Sequence, residues 1–372
     1  MKLIKKWSFN YGKSILGVKL NLMNKEQDQI FYAISKTGNL LLFTITGEIL
    51  LEQEITKKSP IWNLEIADIN NDGIPELILG GLDGLLRVFQ IRSRLSLNPL
   101  WTHQFRSSVS GFKIDYICNN KNPEILAYSL DKTIRILNSQ DGSLIWGQIF
   151  EDGIEDAEVL TDTIDNNEKG VLACGNDGTI RIFNAPNGDL LWFKRFSDKI
   201  RFISYINSKK GLLIVCGGDD KELHFIETKS HEEIETLKFD NYVWRCISFP
   251  TSVNNTLLVS SYSFDYLEQS EPLHVINYTS RLTCINQNLK IVWDLLNKNV
   301  EVIHRFQMGP LRLIAIGTTQ GELLVLDEMS GTLKSVFNHN SCVNAIQYEP
   351  VANILIICYE DGLINSLQIV NN

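Results

Sequence analysis

Short apolar runs, tight polar turns and alternating strands follow one another along this chain from end to end, and the set repeats. The stretch ACGNDGTIRIF, ending at Phe183, returns as GGLDGLLRVF up to Phe89, AYSLDKTIRIL up to Leu137, VCGGDDKELHFI up to Ile226 and AIGTTQGELLVL up to Leu326. Near the C-terminus it reads ICYEDGLINSLQI, and near the N-terminus, more faintly, ISKTGNLLLF. Alternating or wholly apolar runs of this length, separated by Gly, Asn, Asp and Pro, are strand signals, and no convincing amphipathic helix stands between them. A spacing of about 45 residues marks stacked supersecondary units, so the repeat decides the fold before any single residue does.

The turn residue serves as a ruler. Gly38, Gly84, Lys132, Gly178, Lys221, Gly321 and Gly362 fall into register, and the interval between Lys221 and Gly321 is about twice the others. A degenerate unit inside it is visible as YVWRCISF, TLLVSSYS, RLTCIN and KIVWDLL, which brings the count to eight, with seven the alternative. Each unit holds four short strand candidates; in the second they are IWNLEIADI, PELILGG, LLRVFQI and PLWTHQF. Four antiparallel strands repeated in this way predict an all-β, eight-bladed β-propeller occupying residues 1–372 as a single domain. The chain opens on LIKKWSF, which matches the fourth-strand pattern LLWFKRF, and closes on a third strand, GLINSLQIVNN. Leu3–Phe9 is therefore expected to supply the outer strand of the last blade and to remove an open seam.

Composition narrows the function. A net charge of −9 and a pI near 5.3 count against nucleic-acid or acidic-membrane partners, whose binding draws on a basic footprint. No apolar stretch reaches the roughly 18 residues of a membrane span, and no apolar run of signal-peptide length follows the basic N-terminus. A cytoplasmic protein without membrane insertion is expected. The seven cysteines are odd in number, lack CxxC pairing, and three of them (Cys174, Cys216, Cys358) lie inside the apolar runs, as reduced structural thiols do. The histidines are scattered singly, with no zinc spacing.

Two resemblances follow from these residues. GNDGTIRIFNAPNGDLL resembles the third and fourth strands of WD-repeat proteins, and NHNSCVNAIQYEP (338–350) resembles their opening segment, although the Trp-Asp dipeptide is missing from its usual sites. Trp293-Asp294 belongs to a fourth strand instead. DGSLIW and NGDLLW, ending at Trp146 and Trp192, look more like the quinoprotein-type (PQQ-like) repeat, which implies eight blades and tryptophans that dock one blade on the next. In the second unit, ADINNDGIPELILGGLDGLLRVF is similar to FG-GAP repeats and to the propellers of Bardet–Biedl complex subunits.

Within that segment, Asp68, Asn70, Asp72 and Glu76 place oxygen side chains at relative positions 1, 3, 5 and 9, with Gly73 at 6 and the Ile74 carbonyl at 7. This set suits a hard cation wanting six or more oxygens, and the resemblance to FG-GAP loops implies calcium. The plainer alternative is an Asp/Asn/Gly turn, since CNNKNPEIL in the third unit keeps Pro123-Glu124 without the other ligands. No other cofactor is expected. Catalytic signatures such as GxSxG, HExxH or a phosphate-binding Gly loop are missing, and the export signal and vicinal cysteines that the quinoprotein resemblance would bring are missing too. Asp83, Asp177 and Asp361 precede Gly in turns, where an Asp caps its own backbone. No enzyme activity is expected.

Positions where the units differ are freed from scaffold duty. The second residue of each first strand reads Leu16, Trp62, Ser110, Glu155, Arg201, Trp244, Glu301 and Asn344, and in propellers it lies near the mouth of the central channel. Trp62 and Trp244 are expected on opposite sides, with Arg201 beside Trp244 and Glu155 beyond it; Trp and Arg are the types most enriched at binding hot spots. The alternative is that both tryptophans fold into blade packing. An insertion in the sixth unit, about residues 262–280, adds Tyr262, Phe264 and Tyr266 on the same face, as a loop too long to be a bare connection. The expectation is a protein-interaction scaffold that binds a protein or peptide through Trp62, Glu155, Arg201, Trp244, Glu301 and the inserted loop. The alternatives are a small-ligand or cofactor-binding quinoprotein-like propeller and a subunit of a trafficking or GTPase-regulating complex.

Overall fold

The computed structural model describes residues 1–21, 29–93, 96–118, 121–160, 169–248, 256–266 and 275–370. Thirty-two strands, β1–β32 in chain order, form eight four-stranded antiparallel sheets, and the described residues contain no helix. The fold is an eight-bladed β-propeller. The chain's contacts divide it into two compact units of four blades each. Residues Met1–Ser108 with Val300–Asn372 carry the first, second, seventh and eighth blades; Val109–Asn299 carry the third to sixth.

In the first unit, β1 (Lys2–Asn10) pairs antiparallel with β32 (Leu363–Val370), so the sheet of the last blade runs β1-β32-β31-β30. The N-terminal strand completes that blade, as its LIKKWSF pattern requires. The degenerate sixth blade of the second unit is also complete: β22 (Tyr242–Ser248), β23 (Thr256–Tyr266), β24 (Val275–Asn286) and β25 (Ile291–Leu296) pair in order. Here the expected loop at 262–280 takes another form. β23 and β24 continue past the usual turn as a hairpin, with Tyr262 opposite Ser280 and Phe264 opposite Tyr278. Residues 267–274 at its far end lie outside the described residues.

Burial follows strand position. Second strands such as β7 (Glu76–Gly81), β15 (Gly170–Gly175) and β31 (Ile354–Tyr359) are buried at every residue. They are covered on both faces, which explains their continuous apolar runs. Fourth strands such as β5 (Ile49–Glu54) and β17 (Leu190–Arg195) alternate partly buried and exposed positions, as sheet edges do. Each core cluster joins two successive blades, for example Ile134, Trp146 and Phe150 of the third blade with Val171 and Phe183 of the fourth.

Tryptophans lock these junctions. Trp146 Nε1 donates to the Ala185 carbonyl at 2.7 Å, and Trp7 Nε1 to the Ile45 carbonyl at 2.7 Å, each reaching the last turn of the next blade. Trp192 stacks on His231 of the fifth blade at 4.8 Å.

The ruler residues share one conformation. Gly38, Gly84, Lys132, Gly178, Lys221, Gly321 and Gly362 all have positive φ, between 63° and 87°. In each of those seven blades the ruler carbonyl accepts the N–H of the residue that follows the fourth strand: Ile55, Phe105, Phe150, Phe196, Phe239, His339 and, after β1, Tyr11. The aspartates beside them are turn caps, as expected. Asp83, Asp131 and Asp177 accept the backbone N–H two residues on and pair with Arg87, Arg135 and Arg181 four residues on.

Two expectations follow. A Cβ on Gly321 would lie 1.8 Å from the His339 carbonyl oxygen, so Gly321→Ala should destabilise by about 2–4 kcal/mol in denaturant melts, whereas Lys132→Gly, which relieves a side chain at positive φ, should change stability by less than about 1 kcal/mol. Deleting residues 1–10 strips the edge strand from β32 and should lower the melting temperature sharply; an unchanged melt would show that the last blade holds without it.

Candidate functional site

The first strand of every blade carries a β-bulge; the extra residue is the second of the strand in seven blades and the third in the sixth, where β22 starts at Tyr242. The pairing skips Leu16, Trp62, Ser110, Glu155, Arg201, Trp244, Glu301 and Asn344. Each follows a β-branched residue (Ile15, Ile61, Val109, Ile154, Ile200, Val243, Val300, Val343), and seven of these are fully buried. The buried Ile or Val anchors the strand start. The bulge then removes the next residue from the ladder and re-aims its side chain, a device common at rims and binding sites.

In the second unit three successive bulge residues meet. Arg201 Nε and Nη2 donate to the two oxygens of Asp219 at 2.8 and 2.6 Å, and Nη1 reaches Glu155 of the preceding blade at 3.4 Å. The guanidinium lies 4.9 Å from the Trp244 ring centroid, and Trp244 packs on Tyr262 at 4.8 Å. Asp219, first of all by its hydrogen bonds, holds the proton on Arg201 more tightly. Trp244 remains 40% exposed on this support, while Tyr262 is buried at the root of the hairpin. Arg201 therefore works as the prop of Trp244, its donors committed to two carboxylates. The sequence could not signal this, because Asp219 lies outside the bulge register. Side chains of Phe264 and Tyr266 lie outside the described residues.

Two of the predicted partner-binding residues belong to the first unit. Trp62 is 37% exposed on β6 (Ile61–Ala67). Glu301 is exposed on β26 (Val300–Met308) and, after burial, helps push the Cys342 thiol up to about 12.

The 68–76 loop is closed on its own amides. Asp68 accepts the Asp72 and Gly73 N–H groups, Asn70 that of Asp72, and Asp72 that of Ile74. Glu76 is fully buried and accepts the Ile69 N–H at 3.0 Å. Glu124 does the same one blade on, accepting the Ile117 N–H at 2.8 Å with the same seven-residue spacing, so the Glu76 position is accounted for by turn capping. The Asn70 amide donates to both Asp72 and Glu76. Among the described residues, no three His, Cys, Asp or Glu side chains are grouped to hold a metal ion.

Burial first, then the neighbouring Asp72 and Asp68 charges, push the Glu76 carboxyl up to about 7, against the Ile69 hydrogen bond. A carboxyl raised in the folded state binds its proton more tightly there. Its stabilising share is complete below about 4.5 and is lost as pH rises to about 7. Glu76→Gln should remove that part of the slope of melting temperature against pH between these values. Isothermal titration of wild type and Asp72→Ala with calcium reads the cation directly, heat in the wild type alone being the result that places it in this loop.

The comparisons with known proteins bear on the fold. A family model described as the lambda-carrageenase beta-propeller domain matches residues 124–258, from the start of β11 (Glu124–Ser129) into β23. The chain resembles the computationally designed Ika8 protein, with a TM-score of 0.71 and 13% identity over 97% of this chain and 98% of that one. It also resembles BamB from Moraxella catarrhalis, with a TM-score of 0.63 and 12% identity over 99% of this chain and all of that one. No curated protein matches the sequence. The chain is thus a β-propeller by structure, with a family match over part of its length.

Proposed function

We propose that this propeller is a non-enzymatic interaction scaffold that presents Trp244, propped by Arg201, to a protein or peptide partner. The observation that carries this reading is an exposed tryptophan set on a β-bulge and backed by a bidentate ion pair, the rigid aromatic anchor that hot spots favour. Glu155 lies beside this anchor; Trp62 and Glu301 offer further bulge positions in the first unit. Free thiols support a reducing, cytoplasmic setting: all seven cysteines are unpaired with one another, and four of them are buried. No helix among the described residues is long and apolar enough to cross a membrane.

A second reading is a ligand-binding propeller of quinoprotein or carbohydrate type. The match to a carrageenase propeller supports it, because residues 124–258 include Glu155, Arg201 and Trp244. The inter-blade docking of Trp7, Trp146 and Trp192 supports the quinoprotein-like kinship over the WD-repeat one. Against catalysis stands the use of Glu155 and Asp219: both are taken up by Arg201.

Affinity purification from the source cell with wild type and Trp244→Ala separates the readings. The scaffold reading expects a partner held by the wild type and lost by the variant, whose melting temperature shifts by no more than about 2 °C, as for a surface substitution. The same partners on both proteins would refute it. Thermal stabilisation by a metabolite or oligosaccharide, lost in Trp244→Ala, would favour the second reading.

A further inference from the structure

The fourth and fifth blades meet along a seam unlike the one before it. In the seam between the third and fourth blades, Arg181 pairs with Asp177 at 2.7 Å and covers the Phe150 ring at 3.9 Å. Phe150 follows the fourth strand of the third blade. In the next seam the equivalent positions are Asp220, His224 and Phe196. His224 on β20 (Glu222–Glu227) lies 3.0 Å from Asp220 through Nε2 and 4.5 Å from the Phe196 ring. An imidazole thus replaces a guanidinium that the second, third and fourth blades keep as Arg87, Arg135 and Arg181.

The second ring nitrogen is also committed. Nδ1 lies 2.8 Å from Glu233 Oε1 on β21 (Glu233–Lys238), and the other Glu233 oxygen holds Lys194 of β17. A neutral imidazole has one N–H and satisfies one carboxylate; only the imidazolium donates to both. The groups facing His224 complete the picture. β17 contributes Lys194 through Glu233, and Phe196 follows that strand; β19 (Gly211–Gly218) contributes the buried thiol of Cys216, directly opposite in the ladder. Asp220 and Glu233 come from its own blade, where Thr236 also donates to Glu233. His231, stacked on Trp192, lies in the turn before β21.

Asp220 is the chain neighbour of Asp219, and Asp219 holds Arg201. Asp219 is tied to the start of the fifth blade by its N–H to the Lys199 carbonyl at 2.9 Å. The same two-residue turn therefore carries the His224 contact on one side and the Trp244 prop on the other. We infer that His224 is a protonation-dependent staple of the seam between the fourth and fifth blades, and that its charge sets the firmness of the Asp219–Arg201–Glu155 bridge beneath Trp244. The staple stands on the seam geometry alone; its meaning for partner binding rests on the reading of Trp244 as the docking residue.

Burial opposes charging of His224, but the hydrogen bonds to Asp220 and Glu233 together raise it above the ordinary 6.5. A raised imidazole gives stability that is complete below 6.5 and is lost as pH rises through the folded value. His231 moves the other way: burial lowers it, so its share is lost as pH falls below 6.5, in a separate window.

The test compares wild type with His224→Arg, which restores the cation of the neighbouring seam. The melting-temperature difference between them should widen as pH rises from about 6 to about 9, spanning the histidine range; a constant difference overturns the staple. If the variant does not fold, the NMR titration of His224 in wild type decides: a midpoint above 6.5 supports the staple, and one at or below it overturns it. Hydrogen exchange of segments 192–198 and 216–222, corrected for intrinsic rate, reads the coupling. Protection should fall about tenfold per pKa unit of raising in wild type only. Loss confined to 192–198 overturns the link to Arg201. A partner held equally at both ends of the range despite that loss overturns the regulatory consequence, while indifference to Trp244→Ala overturns the docking reading instead.

Discussion

One hydrogen bond recurs through the propeller and much else depends on it. The residue at the turn between the second and third strands is left-handed, and its carbonyl accepts the N–H that follows the fourth strand. Only there can the chain reverse tightly and still aim that carbonyl across the blade. Once made, the bond sets where the fourth strand stops, and so where the next first strand starts. Seven blades use a Gly or Lys for it, and the sixth substitutes Asn297 donating to the Ser280 carbonyl below its extended hairpin. The bond also explains why β1 serves as an outer strand: Tyr11 donates to Gly362 as Phe150 does to Lys132.

The bulges depend on this spacing. An Ile or Val, buried in seven of the eight, stands just before the bulge of each first strand, and the next residue leaves the ladder. Eight equivalent positions result, and their residue types vary because these residues stand outside the ladder pairing. Below them the inner strands are tied by charge at one register position, Lys19 to Glu65 in the first unit and Lys113 to Glu158 in the second. Such partly buried pairs contribute less to stability than to alignment, since desolvation offsets much of the attraction. The fold holds residues as different as Leu16, Trp62, Glu155 and Arg201 at the bulge.

The likeness to Ika8 and BamB at 12–13% identity fits this account. What the fold needs is a pattern: buried second strands, a left-handed turn, a β-branched strand start. Few positions demand a particular residue, so structural likeness carries fold without function. The departures from the pattern are more particular to this chain, above all Trp244 on its prop and His224 where the three preceding blades hold an arginine.

The blade count, the closing strand and the eight bulge positions could be read from the chain, because each rests on local rules: a period, a turn residue, an alternation. The ring of variable residues was legible for the same reason, since register alone places Leu16, Trp62 and Arg201 in one class. What those residues do was not legible. Arg201 reads as an exposed hot spot until Asp219, from a different strand connection, takes its Nε and Nη2 donors. Glu76 reads as a cation ligand from its spacing alone, and in the fold it also caps its turn, as Glu124 does at the equivalent turn of the next blade. His224 reads as a lone histidine until β17 brings Lys194 to Glu233, with Phe196 just beyond it. In each case the partner lies on another strand or in another blade, so the local pattern around the residue does not name it. Local pattern specified the blades, and only their packing decided which charges met.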